Sequence, residues 1–171
     1  MKSTIVIIMS VMAFVGMSFA PVMPKDIVEL AMSSPDHTTL VKALKSAGLV
    51  NTLKGKGPFT VFAPTDAAFA KLPPGTTDNL MMPAQHKAFV ALLTYHVVPG
   101  KIMAKDLMAD IKKGHGKTML TTVEGEKLAF SMDGDKVKIT DAKGGTAYVT
   151  ATDMVAGNGV IHSIDTVLMP K

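Results

Sequence analysis

The segment Thr60 to Phe69 reads TVFAPTDAAF and holds a strand, a break and the opening of a helix. Thr60 to Ala63 favours β structure, Pro64 and Thr65 interrupt it, and Asp66 stands where an N-cap belongs, ahead of Ala67, Ala68 and Phe69. Two further segments also place a polar group inside an apolar stretch: Thr94 to Gly100 (TYHVVPG) and Asn158 to Pro170 (NGVIHSIDTVLMP). Phe89, Leu92, Leu93 and His96 fall at i, i+3, i+4 and i+7, which puts His96 on a core-facing helical stripe. Val160, His162, Ile164 and Leu168 share a face by the period of two. An unsatisfied buried polar group costs about 1–3 kcal/mol, so both histidines need hydrogen-bond partners. Tyr95 falls on another side of the helix, with Ala88, Ala91 and Leu92, and reads as core or rim.

Outward from these segments, the first half reads as helical. Asp26 caps a helix through Ala31, and Asp36 caps a longer one whose Leu40, Ala43, Leu44 and Ala47 recur at helical spacing before Gly48 stops it. A turn from Gly55 to Pro58 leads into the strand Phe59 to Ala63. Pro73-Pro74 ends the short helix opened by Pro64-Thr65-Asp66, and Pro83 starts a helix that continues from Ala84 to His96. Lys112 to Lys117 (KKGHGK) reads as a solvated loop. The second half reads as strands. Leu128, Phe130 and Met132 alternate with polar or small residues, Asp133-Gly134 signals a hairpin, and Val137 and Ile139 resume the alternation. Lys143-Gly144-Gly145 turns the chain into a strand over Ala147 to Thr152, and Asn158 to Met169 is expected as a long central strand. The fold class is α+β.

The chain has 171 residues, enough for one domain that needs no staples, and it contains no cysteine. Its basic residues are 18 lysines without arginine, and the formal charge of +4 is scattered, which argues against a nucleic-acid partner. Met1 to Ala20 reads as a secretory signal: Lys2 is followed by an apolar run, and Ser18 and Ala20 are the small residues a signal peptidase reads. Pro21 after the cut is unfavourable, and the alternative is an uncleaved membrane anchor. The expected organisation is a leader over 1–20 and one domain over 21–171, secreted or periplasmic, monomeric, and without stable membrane insertion once the leader is removed.

Taken in order, TVFAPTDAAF, Tyr95-His96 and NGVIHSIDTVLMP resemble the three blocks of the fasciclin (FAS1) family of secreted and cell-surface adhesion modules. The similarity runs from about Asp26 to Pro170. It implies a wedge with helices mainly in the N-terminal half and a roughly seven-stranded β structure completed by the C-terminal strands. The matching motif positions, expected to be structural, are Thr65, Asp66, Phe69, Tyr95, His96, Gly159, His162 and Asp165. The integrin-binding segments of some animal members have no close equivalent here.

No Gly-x-Ser-x-Gly elbow or cysteine nucleophile supports an enzyme, so no catalytic residue is assigned. His96 and His162 lack the companions of a metal site, and neither metal nor cofactor is expected. Of fourteen methionines, four lie in the leader and only Met81 and Met82 adjoin, near His86, so they read as fillers of apolar gaps rather than copper ligands. Two readings stay open: an exported adhesion module that binds a cell-surface protein or polysaccharide, and a soluble carrier of a small apolar lipid or pigment.

Overall fold

Residues 23–171 are described by a computed structural model; the expected leader and its cleavage site lie outside the described residues. Seven strands form one sheet: β1 (Phe59–Pro64), β2 (Val97–Pro99), β3 (Lys117–Thr121), β4 (Lys127–Asp133), β5 (Lys136–Thr140), β6 (Thr146–Ala156) and β7 (Gly159–Ile164). Their spatial order is β2-β1-β7-β6-β5-β4-β3. β1 and β7 pair parallel, with Phe59 opposite Gly159 and Pro64 opposite Ile164, and the other pairings are antiparallel. Beyond β3, the Val123 N–H donates to the Val97 carbonyl at 2.8 Å, so the two ends of the sheet approach and the sheet curls nearly into a barrel.

The helices are α1 (Ile27–Met32), α2 (Thr38–Ser46), α3 (Val50–Leu53), α4 (Asp66–Ala70), α5 (Thr76–Leu80), α6 (His86–Tyr95) and α7 (Ala104–Lys113). Two cores follow from the pleat. On one side, Val61, Ala63 and Ile161 pack against Ile27, Leu40, Leu44, Phe69 and Phe89 from the helices. On the other, Phe62 and Ile164 join Tyr95, Leu107, Ile111, Leu128, Phe130 and Ile139 inside the curled sheet. Burying such a side chain contributes about 1.5–3 kcal/mol, which is why β1 and β7 are apolar in both directions. Phe62 and Phe130 meet at a centroid distance of 5.1 Å in a tilted pair.

The α+β class, the helical first half, the seven strands and the hairpin at Asp133-Gly134 are all present. Several boundaries differ. The last strand ends at Ile164, because the Asp165 side chain turns to the backbone of Tyr148 and the chain leaves the ladder, although Leu168 is still fully buried. The segment read as the solvated loop KKGHGK is exposed throughout, but half of it belongs to regular elements: Lys112 and Lys113 end α7, Lys117 begins β3, and the three residues between them turn. That helix was legible, since Ala104, Leu107 and Ile111 recur at i, i+3 and i+7 and are all buried. Asp36 does not cap α2, because Pro35–His37 forms a 3-10 turn that runs directly into it. The helix after Pro83 begins with a 3-10 turn and ends at Tyr95, with His96 as its C-cap.

Gly159 sits at the closest approach of β7 to β1. A Cβ there would overlap the Phe59 carbonyl oxygen and the Ile27 side chain, and backbone cannot yield as a flexible side chain can. Gly159→Ala is therefore expected to lower the free energy of unfolding by about 2 kcal/mol or more, read from the urea midpoint at unchanged slope.

Candidate functional site

The motif residues gather where the helices meet β1 and β7. Thr65 is the N-cap of α4, its hydroxyl accepting from the Ala68 N–H at 3.2 Å, while its own N–H donates to the Ile164 carbonyl at 3.1 Å. This corrects the expectation for Asp66, which is the first helical residue and caps a different helix. Its carboxylate accepts from the Thr39 N–H at 2.7 Å and the Thr38 hydroxyl at 2.6 Å, at the start of α2. Burial would raise the pKa of Asp66, but those donors outweigh it and hold the group below the ordinary carboxylate value. Phe69 is buried in the helical core.

His96 is buried between α6 and the segment after β7. The Leu168 N–H donates to Nε2 at 3.0 Å, so Nε2 carries the lone pair, and Nδ1–H donates to the Leu92 carbonyl at 2.7 Å. Only the neutral ring satisfies both bonds. Burial pushes its pKa down to about 4, against a smaller upward pull from the Leu92 carbonyl and Asp141. Tyr95 points into the barrel core, where its hydroxyl accepts from the Ala142 N–H at 2.9 Å. His162 stacks on Phe62 at 5.6 Å, accepts from the Asp153 N–H at 3.2 Å, and meets the Ile102 carbonyl through Nε2 at 2.8 Å. Asp165 accepts from the Tyr148 N–H at 2.8 Å and the Thr166 hydroxyl at 3.0 Å, and pairs with Lys71 at 3.5 Å. Burial would raise its pKa too, yet these partners bring it below the ordinary value. Asp66 and His96 bond to different elements and do not form an acid–base pair.

Four further residues share this work. Asn158 accepts from the Ile27 N–H at 2.9 Å at the start of α1 and donates to the carbonyls of Leu53 at 2.6 Å and Gly55 at 3.0 Å. Asp153, at φ 58° in the irregular stretch of β6, accepts from the Ala104 N–H at 2.8 Å and so caps α7. Buried His37 bridges Ser34 at 2.8 Å and Ser163 at 3.1 Å; burial lowers its pKa against the pull of Asp36 and Asp66. Asp141 accepts from Lys143, Gly145 and Met169 backbone N–H groups at 3.0, 2.7 and 3.0 Å. Only Asp141 had a local signal, the aspartate-to-glycine turn of DAKGG.

Among the described residues, no group of three His, Cys, Asp or Glu side chains stands close enough to hold a metal ion. An apolar cavity lined by Leu44, Leu49, Leu53, Phe59, Val97 and Val123 measures about 20 Å³, room for about one water and far below a lipid or pigment. The larger clefts, such as that of about 340 Å³ beside Thr76, Asn79 and Met82, open to solvent. The motif side chains make their hydrogen bonds within the domain.

Those ties carry a pH dependence. Unfolded, His96 titrates near 6.5; folded, it stays neutral down to about 4. As pH falls through that window the unfolded chain binds the proton first, so stability is full above 6.5 and is lost on acidification. The loss attributable to His96 approaches on the order of 3 kcal/mol near pH 4, and His37 adds in the same direction. Urea midpoints measured from pH 7 to pH 4 are expected to fall accordingly. His96→Leu is expected to be less stable at pH 7, with two backbone groups unpaired, and to lose most of this slope.

The Fasciclin domain family model matches residues 35–170. Protein sll1483 of Synechocystis sp. is 45% identical over 144 residues, covering 84% of this chain and 73% of that protein. Immunogenic protein MPB70 of Mycobacterium bovis is 34% identical over 154 residues, covering 86% of this chain and 71% of that one. A solved FAS1 domain pair from the insect cell adhesion molecule Fasciclin I superimposes with a TM-score of 0.75 at 22% identity; the match covers 86% of this chain and 52% of the pair. The motif blocks, the fold and these matches agree, and the chain belongs to the fasciclin domain family.

Proposed function

We propose that this chain is a non-catalytic adhesion module that is exported through a leader over residues 1–20 and acts as a single domain over residues 21–171. It works at the cell envelope or in the extracellular matrix, as a monomer, on a cell-surface protein or polysaccharide. The observation that carries this reading is how the polar residues of the motifs are used: His96, His162, Asp66 and Asp165, together with His37 outside the motifs, are all tied to backbone or side-chain partners inside the domain. A catalytic group must reach a substrate, and the three histidines are also buried from solvent. Family membership and the likeness to a cell adhesion molecule's domains support the same reading. No helix of the described residues is long and apolar enough to cross a membrane.

The test uses protein purified from its native host. N-terminal sequencing is expected to begin near Pro21, and the purified protein is expected to adhere to host envelope preparations above an unrelated control domain. Adhesion should weaken moderately with salt, since exposed charges are screened over about 10 Å at 0.1 M ionic strength. Near-stoichiometric release of one lipid or pigment into organic solvent, with no adhesion above control, would replace this reading with a carrier. Retention of the intact leader in the membrane fraction would make the protein an anchored adhesin.

A further inference from the structure

The outer face of β3 to β6 is unlike the rest of the surface. Leu128 and Phe130 of β4, Val137 and Ile139 of β5, and Ala147 and Val149 of β6 all point into the barrel core. The residues between them therefore face outward. Strand register aligns Lys117, Ser131, Lys138 and Tyr148 in one row across the four strands. A parallel row holds Met119, Ala129, Thr140 and Thr146. Ser131, Ala129 and Thr140 in the middle of the two rows are small, and Lys138 is the one long side chain among them.

Tyr148 is held across this face. Its hydroxyl donates to Asp133 Oδ2 at 2.8 Å, and its backbone N–H is fixed by Asp165 at 2.8 Å. Asp133 belongs to β4 and Tyr148 to β6, with β5 between them. Two strand spacings amount to about 9.6 Å, so the bond obliges the ring to lie over β5 instead of standing away from the sheet. The ring remains part-exposed. The same outward face carries Lys117, Lys127, Lys136 and Lys138, none of which joins an ion pair among the described residues. Asp133, opposite Lys136, is the one acid among the outward strand residues; Asp165 stands beside Tyr148 and holds its N–H, and other carboxylates lie at the rim, in Asp135, Glu124 and Glu126.

We propose that this face docks an anionic polysaccharide, with the Tyr148 ring as a stacking platform for a pyranose and the lysines as partners of carboxylate or sulfate groups. The proposal rests on the adhesion reading and names its partner class. A pyranose presents a C–H face that stacks on a flat aromatic ring, and its hydroxyls find Ser131, Thr140 and Thr146 beside it. Lys117 and Lys138 lie two strands apart, about 9.6 Å, which suits charges repeated along an extended polymer. A ring already pinned loses little freedom on binding. A protein partner would need a desolvated pocket for an apolar anchor, and a bilayer would need an apolar stripe to insert. Met119 is the one large apolar side chain exposed in these rows.

The experiment titrates the purified protein with polygalacturonate and dextran sulfate, using neutral dextran and phosphatidylglycerol vesicles as the contrasting arms. The chain has no tryptophan and two tyrosines, of which Tyr95 is buried away from any surface ligand, so a change in tyrosine emission on binding reports on Tyr148. Binding to at least one anionic polymer is expected, with a change in that emission and weakening by salt. Tyr148→Ala and the Lys117→Gln/Lys138→Gln pair should each weaken it about tenfold or more. Asp133→Asn removes the acid and keeps a polar partner for the hydroxyl, so it should tighten binding about two- to fivefold, a result that loss of structure cannot imitate. The proposal is overturned if neither polymer binds, if dextran binds as well, if vesicles bind and the polymers do not, or if folded variants, judged by unchanged urea midpoints, bind as the native protein does. Envelope adhesion that persists in Tyr148→Ala would sink this surface and leave the adhesion reading standing. Polymer binding with the expected variant pattern but without envelope adhesion would do the reverse.

Discussion

β1 and β7 lie parallel in the middle of the chain's contacts and are buried on both faces, and the remaining architecture answers to that burial. Two strands with no wet side can present little but apolar side chains, and the helix ends around them must find partners without much help from water. The solution recurs three times. Asn158, at the mouth of β7, receives the first N–H of α1; Asp66, just past β1, receives the first turn of α2; Asp153 of β6 receives the first N–H of α7. Each of these three helices is held at its first turn by a side chain from a distant part of the chain, α1 in addition to its own Asp26 cap, so the bond also fixes where the helix docks. Side-chain caps of this kind contribute about 0.5–2 kcal/mol, but their larger effect is to make helix position and strand pairing a single cooperative event.

The histidines extend the same logic into the core. His96 satisfies a carbonyl one helical turn back and an N–H in the closing segment, and so closes the chain over α6. His162 ties the irregular part of β6 to the segment after β2, and His37 ties the entry of α2 to β7 through Ser163. An imidazole suits these places because one flat ring offers a donor and an acceptor on opposite sides. In His96 that economy holds only for the uncharged ring. A domain stitched in this way is strongest in neutral surroundings and loosens in acid, first at His96 and His37 and later at the carboxylates of Asp66 and Asp165.

Much of the fold was readable from periodicity: the hairpin at Asp133-Gly134, the alternation of Leu128 and Phe130, and the stripe ending in His96 all appear where pattern places them. The burial of His96 and His162 followed from the same spacing. What pattern could not supply was the identity of partners more than a turn away. Asp66 looked like a local cap because N-cap preference is a local statistic, whereas its acceptor atoms meet residues 27 and 28 positions earlier. Asn158 and Asp153 had no local mark, since the donors they serve lie 131 and 49 residues off in sequence. The KKGHGK segment misled for the opposite reason: glycine and lysine dominate its composition, while α7 and β3 on either side claim its ends.

The near-closure of the sheet limits how this domain meets other molecules. Its outermost strands are only three and five residues long, and the Val123–Val97 bond draws their neighbourhoods together. Little ladder remains on which a foreign strand could template itself. Crowded copies of the domain would therefore resist edge-to-edge polymerisation, and any partner must be held by side chains on faces and loops. Recognition of that kind can change by surface substitution alone, leaving the capped and stitched interior as it is.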